Sequence, residues 1–164
     1  MTHAAGADLY ERDFYAWTQE QARRVRALRG DNRFDAANVA EELADLGNSQ
    51  RNAVESHLVQ VVVHLIKLAW IDDADLHRTW REEVDRHQDE ACHTQTAAMK
   101  ADLDRDRIWR RGVRLANKSF RTHGEPELPR TPACPFTLDD LLAEAFDTDT
   151  ALATVADAVA AVDG

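Results

Sequence analysis

Glycine and proline are scarce in this chain, six and four among 164 residues, and the four prolines are confined to 126–135. With 44% apolar and 30% charged residues, that scarcity suits an α-rich globular protein better than a disordered one. No apolar–polar alternation lasts longer than a few residues, so no strand is predicted, and there is no internal repeat. Cysteine is reduced to Cys92 and Cys134, which are far apart and belong to no CxxC pair or Cys/His ladder. They read as free thiols in a reducing compartment, and a chain of this length needs no disulfide or metal staple. Positive charge is also short: 20 Lys and Arg against 30 Asp and Glu leave a net charge of −10. That balance argues against wholesale binding to nucleic acid or to an anionic membrane. The N-terminal MTHAAGADLYERD has no basic segment leading into an apolar core, so no secretory leader is predicted. The expected location is cytoplasmic.

Familiar catalytic signatures are missing too. There is no GxGxxG or GxxxxGKS loop to cradle phosphate, no GxSxG elbow and no HExxH. The paired Glu-x-x-His motifs of a di-iron bundle are absent. No cofactor is expected, and the balance of motifs leans away from an enzyme.

What is present is helical periodicity. From Ala53 to Trp70 the chain reads AVESHLVQVVVHLIKLAW. Val54, Leu58, Val61, Leu65 and Leu68 form one seam, and Val59, Val62, Val63, Ile66 and Ala69 widen it. Only His57, Gln60, His64 and Lys67 escape the apolar arc, as one narrow strip. They interrupt the stretch too often for a membrane span. A helix apolar around most of its circumference belongs at the centre of a bundle. His57 and His64 lie two turns apart, about 10 Å, too far to share a metal ion easily.

Around that centre the remaining helices follow from caps and stripes. Asp8 is the expected N-cap of a first helix to about Arg29, with Tyr10, Phe14, Trp17 and Leu28 inward and Asp13 at the edge of that face. A short second helix, AANVAEELADL, turns Val39, Leu43 and Leu46 inward, flanks them with Glu42 and ends at Gly47. Asn48 or Ser49 then caps the central helix. A fourth helix from Leu76 to Thr96 carries a thin stripe of Leu76, Trp80, Val84, His87 and Ala91, leaving His77 and His93 in solvent.

The fifth helix, RDRIWRRGVRLANKSFR, is amphipathic and basic. Arg107, Arg110, Arg111, Arg114, Lys118 and Arg121 share a face opposite Ile108, Trp109, Val113 and Phe120. Beyond Arg130 the chain holds many carboxylates and no Lys or Arg, so internal charge matching or a solvated face outweighs nucleic acid as its explanation. Gly124 closes this helix. EPELPRTPACPF is an extended, proline-rich strap, and Thr137 with Asp140 opens a further helix through a capping box. An alanine-rich amphipathic segment, Thr150 to Val162, ends the chain.

Asp13, Glu42, His64 and Lys67 stand at or inside these apolar faces with Trp17 and Trp80 beside them, a candidate polar-core site that a family resemblance extends to Arg81. One reading is an ion-pair and hydrogen-bond network fixing helix register, with Glu42 and Asp13 satisfying Lys67 and His64. The other is a pocket binding a metal, through Glu42 and His64, or a small ligand.

Four segments carry a family resemblance: YERDFYAWTQEQARRVR (Tyr10 to Arg26), NVAEELADLGNSQRNAVESHLVQVVVHLIKL (Asn38 to Leu68), HRTWREEV (His77 to Val84) and PACPFTLDDLLAEAF (Pro132 to Phe146). In this order they resemble the bacterial "domain of unknown function twenty-nine" family. Asp13, Trp17, Glu42, Gly47, His64, Lys67, Trp80 and Arg81 fall at positions that the family pattern features. The resemblance implies an all-helical fold and supplies no activity. The chain departs from the pattern just after Lys67 and at His87, and 147–164 extends beyond the shared region.

The expectation is therefore an all-α protein. A single bundle of five to seven helices occupies 1–146 around the central apolar helix, with the strap before the last helices and a helical extension over 147–164. Functionally it is expected to be an intracellular regulatory or interaction module with a protein partner. Binding of a metal or small ligand, or catalysis, through the polar cluster is the alternative, and nucleic-acid binding through the basic face is weaker.

Overall fold

From Ala36 to Trp70 the chain runs as one unbroken helix of 35 residues. The computed structural model describes residues 8–28 and 34–163, and among them every regular element is helical. In chain order these are α1 (8–12), α2 (Phe14–Arg26), α3 (Ala36–Trp70), α4 (Ala74–Thr94), α5 (Ala97–Ala101), α6 (Arg105–His123), α7 (Leu138–Leu141) and α8 (Thr148–Asp163). No helix among the described residues is long and apolar enough to cross a membrane.

Contacts divide the chain into two compact units, Met1–Ala53 with Thr94–Leu103 and Val54–His93 with Asp104–Gly164. The segment 147–164 belongs to the second unit.

In the first unit, Asp13 interrupts the predicted single N-terminal helix. Its backbone leaves the helical region, and its side chain accepts from the Ala16 N–H at 2.9 Å, so α2 starts afresh at Phe14. The buried face of α2 is Tyr15, Thr18 and Ala22, whereas Tyr10 and Leu28 are exposed, contrary to the expected inward stripe. The same inversion occurs at the start of α3. Ala40, Ala44 and Gly47 are buried, while Val39 and Leu46 lie open to solvent.

Gly47 explains both inversions. It does not end a helix. A methyl group there would lie 2.0 Å from Thr18 Oγ1, so α2 and α3 touch through small residues, closer than leucines permit. Gln19 Nε2 donates to the Ala44 carbonyl across the same contact. Against α2 packs α5, tied by Tyr15 Oη donating to Asp102 at 2.7 Å.

The second unit is built on the predicted seam. Val54, Leu58, Val61, Leu65 and Leu68 are buried, and His57, Gln60, His64 and Lys67 form a half-open strip beside them. Gly112 lets α6 cross α3 closely, since a methyl group there would meet Val62 Cγ1 at 2.4 Å. Gly124 closes α6 with φ of 75°, the left-handed conformation expected of a C-terminal glycine. The strap is pinned by Trp109 Nε1 donating to the Pro132 carbonyl at 2.7 Å and by Trp70 Nε1 donating to Pro126. Thr137 and Asp140 form the capping box of α7. The last helix, α8, docks through Ala151, Val155 and Val159.

Candidate functional site

The seven residues of the predicted polar cluster are divided between the two units. Asp13, Trp17 and Glu42 belong to the first unit, and His64, Lys67, Trp80 and Arg81 to the second. Along α3, Glu42 and His64 are 22 residues apart, about 33 Å of helical rise, so these two metal candidates share no ion.

Each member has its own partners. Asp13 is half-buried and satisfied by two donors, the Ala16 N–H and the Thr96 hydroxyl at 3.0 Å. Trp17 stacks on Phe14 and meets the edge of Tyr10. Glu42 is exposed. Arg81 pairs with Asp149. That leaves Lys67 and Trp80, which do meet: the ammonium sits 5.7 Å from the indole centroid, a cation–π contact.

Around this pair lies a cleft of about 400 Å³. Four stretches of chain supply its walls: Lys67 from α3, Ile71 just beyond it, Leu76 and Trp80 from α4, and Ser119, Phe120, His123 and Glu125 from the end of α6 and its exit. The Trp70 indole, held by the Pro126 carbonyl, fixes the chain leaving α6. His77, expected in solvent, is partly buried, with Nε2 donating to the Ile71 carbonyl at 2.7 Å and its ring beside Trp80. Burial pulls the Lys67 ammonium below the usual lysine range, and no carboxylate among the described residues pairs with it. The cleft thus combines the apolar side chains of Ile71, Leu76, Trp80 and Phe120 with a half-buried Lys67 ammonium that pairs with no carboxylate among the described residues, and Glu125 lies in the same lining. Sequence periodicity pointed to Lys67 and Trp80. It gave no sign of Ser119, Phe120 or His123, which come from half a hundred residues further along the chain.

A second cluster joins residues that were read separately. His57 Nδ1 and His87 Nδ1 lie 2.9 Å apart, and the His64 ring stacks on His87 with centroids at 6.1 Å. Arg86 Nη2 lies 3.0 Å and Glu83 Oε2 3.4 Å from His87 Nε2. One proton between the two Nδ1 atoms joins His57 and His87. His64 Nδ1 donates to the Gln60 carbonyl. Burial is the largest cause holding both His64 and His87 below the usual imidazole range, with Lys67 adding to it for His64 and Arg86 for His87. Two nitrogens on one tetrahedral zinc stand about 3.3 Å apart with the ion between them, whereas these face each other directly. No three His, Cys, Asp or Glu side chains among the described residues are arranged to hold a metal ion.

The basic face of α6 is present, but its carboxylate partners differ from those expected. Glu55 on α3, buried, reaches Arg107 at 3.1 Å and Arg111 at 3.6 Å, and Glu127 in the strap pairs with Arg121. Of the acids beyond Arg130, Asp140 and Asp147 cap helices and Asp149 meets Arg81. Arg110, Arg114 and Lys118 have no ion-pair partner among the described residues.

Comparison with known proteins agrees with this architecture. The family model described as "Domain of unknown function DUF29" matches residues 9–147. The crystal structure of an alpha-helical protein of unknown function from Rhodospirillum rubrum, at 1.45 Å resolution, is similar with a TM-score of 0.77. Sequence identity is 31%, over 88% of this chain and 95% of that one. No curated protein matches the chain.

Proposed function

The chain belongs to the DUF29 family, and we propose that it is a small ligand-binding module that takes an amphipathic carboxylate into the cleft between Lys67 and Trp80. The observation that carries this reading is the half-buried Lys67 ammonium, which faces an indole and has no carboxylate counter-ion among the described residues. An unpaired cation in a partly desolvated site is costly, and an anion arriving with its own apolar body relieves that cost. The volume, about 400 Å³, lies in the range of small-molecule sites, and Ile71, Leu76, Trp80 and Phe120 offer the apolar contact such ligands need. Ser119 provides a hydroxyl for a carboxylate oxygen. We read the cleft as a binding site, in keeping with a regulatory role in the cytoplasm. The free Cys92 and Cys134 suit a reducing setting.

Calorimetry with octanoate and benzoate, against octanol and benzyl alcohol, tests this directly. The acids are expected to bind and to raise the melting temperature, the alcohols to do so far less, and Lys67→Met to erase the difference. Equal response to acids and alcohols, or no response to either, removes the proposal.

The interaction-module reading is also favoured by one observation. Among the described residues, five of the six large exposed apolar ones, Tyr10, Leu28, Phe34, Val39 and Leu46, lie in the first unit. It predicts self-association or capture of a stoichiometric partner, abolished by Val39→Asp with Leu46→Asp. A chain that sediments as a monomer and retains no partner contradicts it.

A further inference from the structure

Arg107, Arg110, Arg111 and Arg114 fall within two turns of α6, about 10 Å of helix. Four like charges so close repel one another. One carboxylate relieves part of that repulsion: Glu55, only 6% exposed, touches the guanidinium groups of Arg107 and Arg111. Its Oε1 is closed off from solvent and makes no hydrogen bond, and Arg107 and Arg111 are its ion partners. Arg110 and Arg114 stand beside them with no carboxylate. The four side chains alone line an open groove of about 430 Å³. With four positive charges and one negative, the groove carries three positive charges on a chain whose net charge is −10.

We propose that this groove binds a compact polyphosphate, a linear di- or triphosphate group gripped by guanidinium forks. Arginine pairs with phosphate oxygens through two parallel N–H donors, and a row of four such forks matches a short chain of linked phosphates. A nucleic-acid strand fits less well. Trp109, the aromatic residue within this run, is buried on the opposite side of α6, which leaves no ring here on which a base could stack. The acidity of the rest of the chain also repels a long polyanion while leaving a ligand of groove size little affected. This site is separate from the Lys67 cleft and differs from it in ligand class.

Calorimetry at low salt with inorganic tripolyphosphate, ATP without magnesium, orthophosphate and a single-stranded oligonucleotide tests the assignment. Tripolyphosphate and ATP are expected to bind, orthophosphate weakly, and added salt to weaken all. Arg110→Gln and Arg114→Gln, both at exposed positions, leave the helical circular dichroism intact. Each is expected to cost roughly tenfold in affinity, the equivalent of one hydrogen bond to a charged group. Equal affinity for ATP and tripolyphosphate assigns recognition to the phosphates alone, and tighter ATP assigns a nucleotide source; both support the site. Absence of saturable binding to tripolyphosphate, indifference to the double variant, or tighter binding of the oligonucleotide overturns it.

Discussion

His57 and His87, on different helices, face each other through Nδ1 atoms 2.9 Å apart, a separation that one proton bridges and two forbid. His64 stacks alongside, with Lys67 and Arg86 adding positive charge and Glu83, whose own carboxyl is held low chiefly by Arg86, opposing them. Since the folded chain holds His64 and His87 below their ordinary values, the unfolded chain takes up protons first. Stability is therefore complete above about pH 6.5 and is lost as the pH falls towards the folded values. The melting temperature should decline from about pH 7 to about pH 5, and His87→Gln should flatten that decline. A profile identical in the wild type and the variant contradicts the pairing.

Lys67→Met should separate binding from stability. Removing a half-buried ammonium without a carboxylate relieves desolvation, so the ligand-free variant is expected to melt no lower than the wild type while losing its response to carboxylates. Trp80→Ala, by contrast, should lose both. Parallel thermal melts with and without octanoate distinguish the two patterns.

Glycine replacement should reveal the two close helix contacts. Gly47→Ala drives a methyl group into Thr18, and Gly112→Ala drives one into the stiff β-branched Val62. Overpacking of this kind costs about 1–3 kcal/mol, partly offset by about 1 kcal/mol of helix propensity gained. Each substitution should lower the melting temperature by a few degrees. Thr18→Ala combined with Gly47→Ala should recover part of the loss, which a glycine acting as a helix terminator would not allow.

Trp109→Phe keeps the ring but removes the donor to the Pro132 carbonyl, leaving that buried acceptor unmatched. A loss of about 1–3 kcal/mol is expected in urea denaturation, seen as a lower midpoint with an unchanged slope. Faster proteolysis between Gly124 and Thr137 should accompany it.

Much of the fold was legible because it depends on local rules. The seam from Val54 to Leu68, the glycine stop at 124, the Thr137 capping box and the basic face of α6 are all written in spacings of three and four. The errors arose where those rules compete. Glycine both ends helices and permits close contact, and at Gly47 the second use prevails. Val39 and Leu46 carry the period of a buried stripe, yet Ala40 and Ala44 take the inner face because a small residue lets α2 approach more closely. For the candidate sites, Lys67, Trp80 and the arginines were visible as residues. Their relationships were not: Glu55 beneath Arg107 and Arg111, His57 against His87, and Phe120 in the same cleft as Lys67 all join distant segments.

The continuity of α3 constrains how the protein can be dissected. The helix passes without a break through Ala53 and Val54, where one compact unit gives way to the other, and the first unit also needs 94–103 from further downstream. A truncation at that junction severs a hydrogen-bonded rod in mid-turn and strips α2 of α5. Fragments cut there will report on frayed ends rather than on autonomous halves, so assigning a ligand to either region calls for point substitutions in the intact chain.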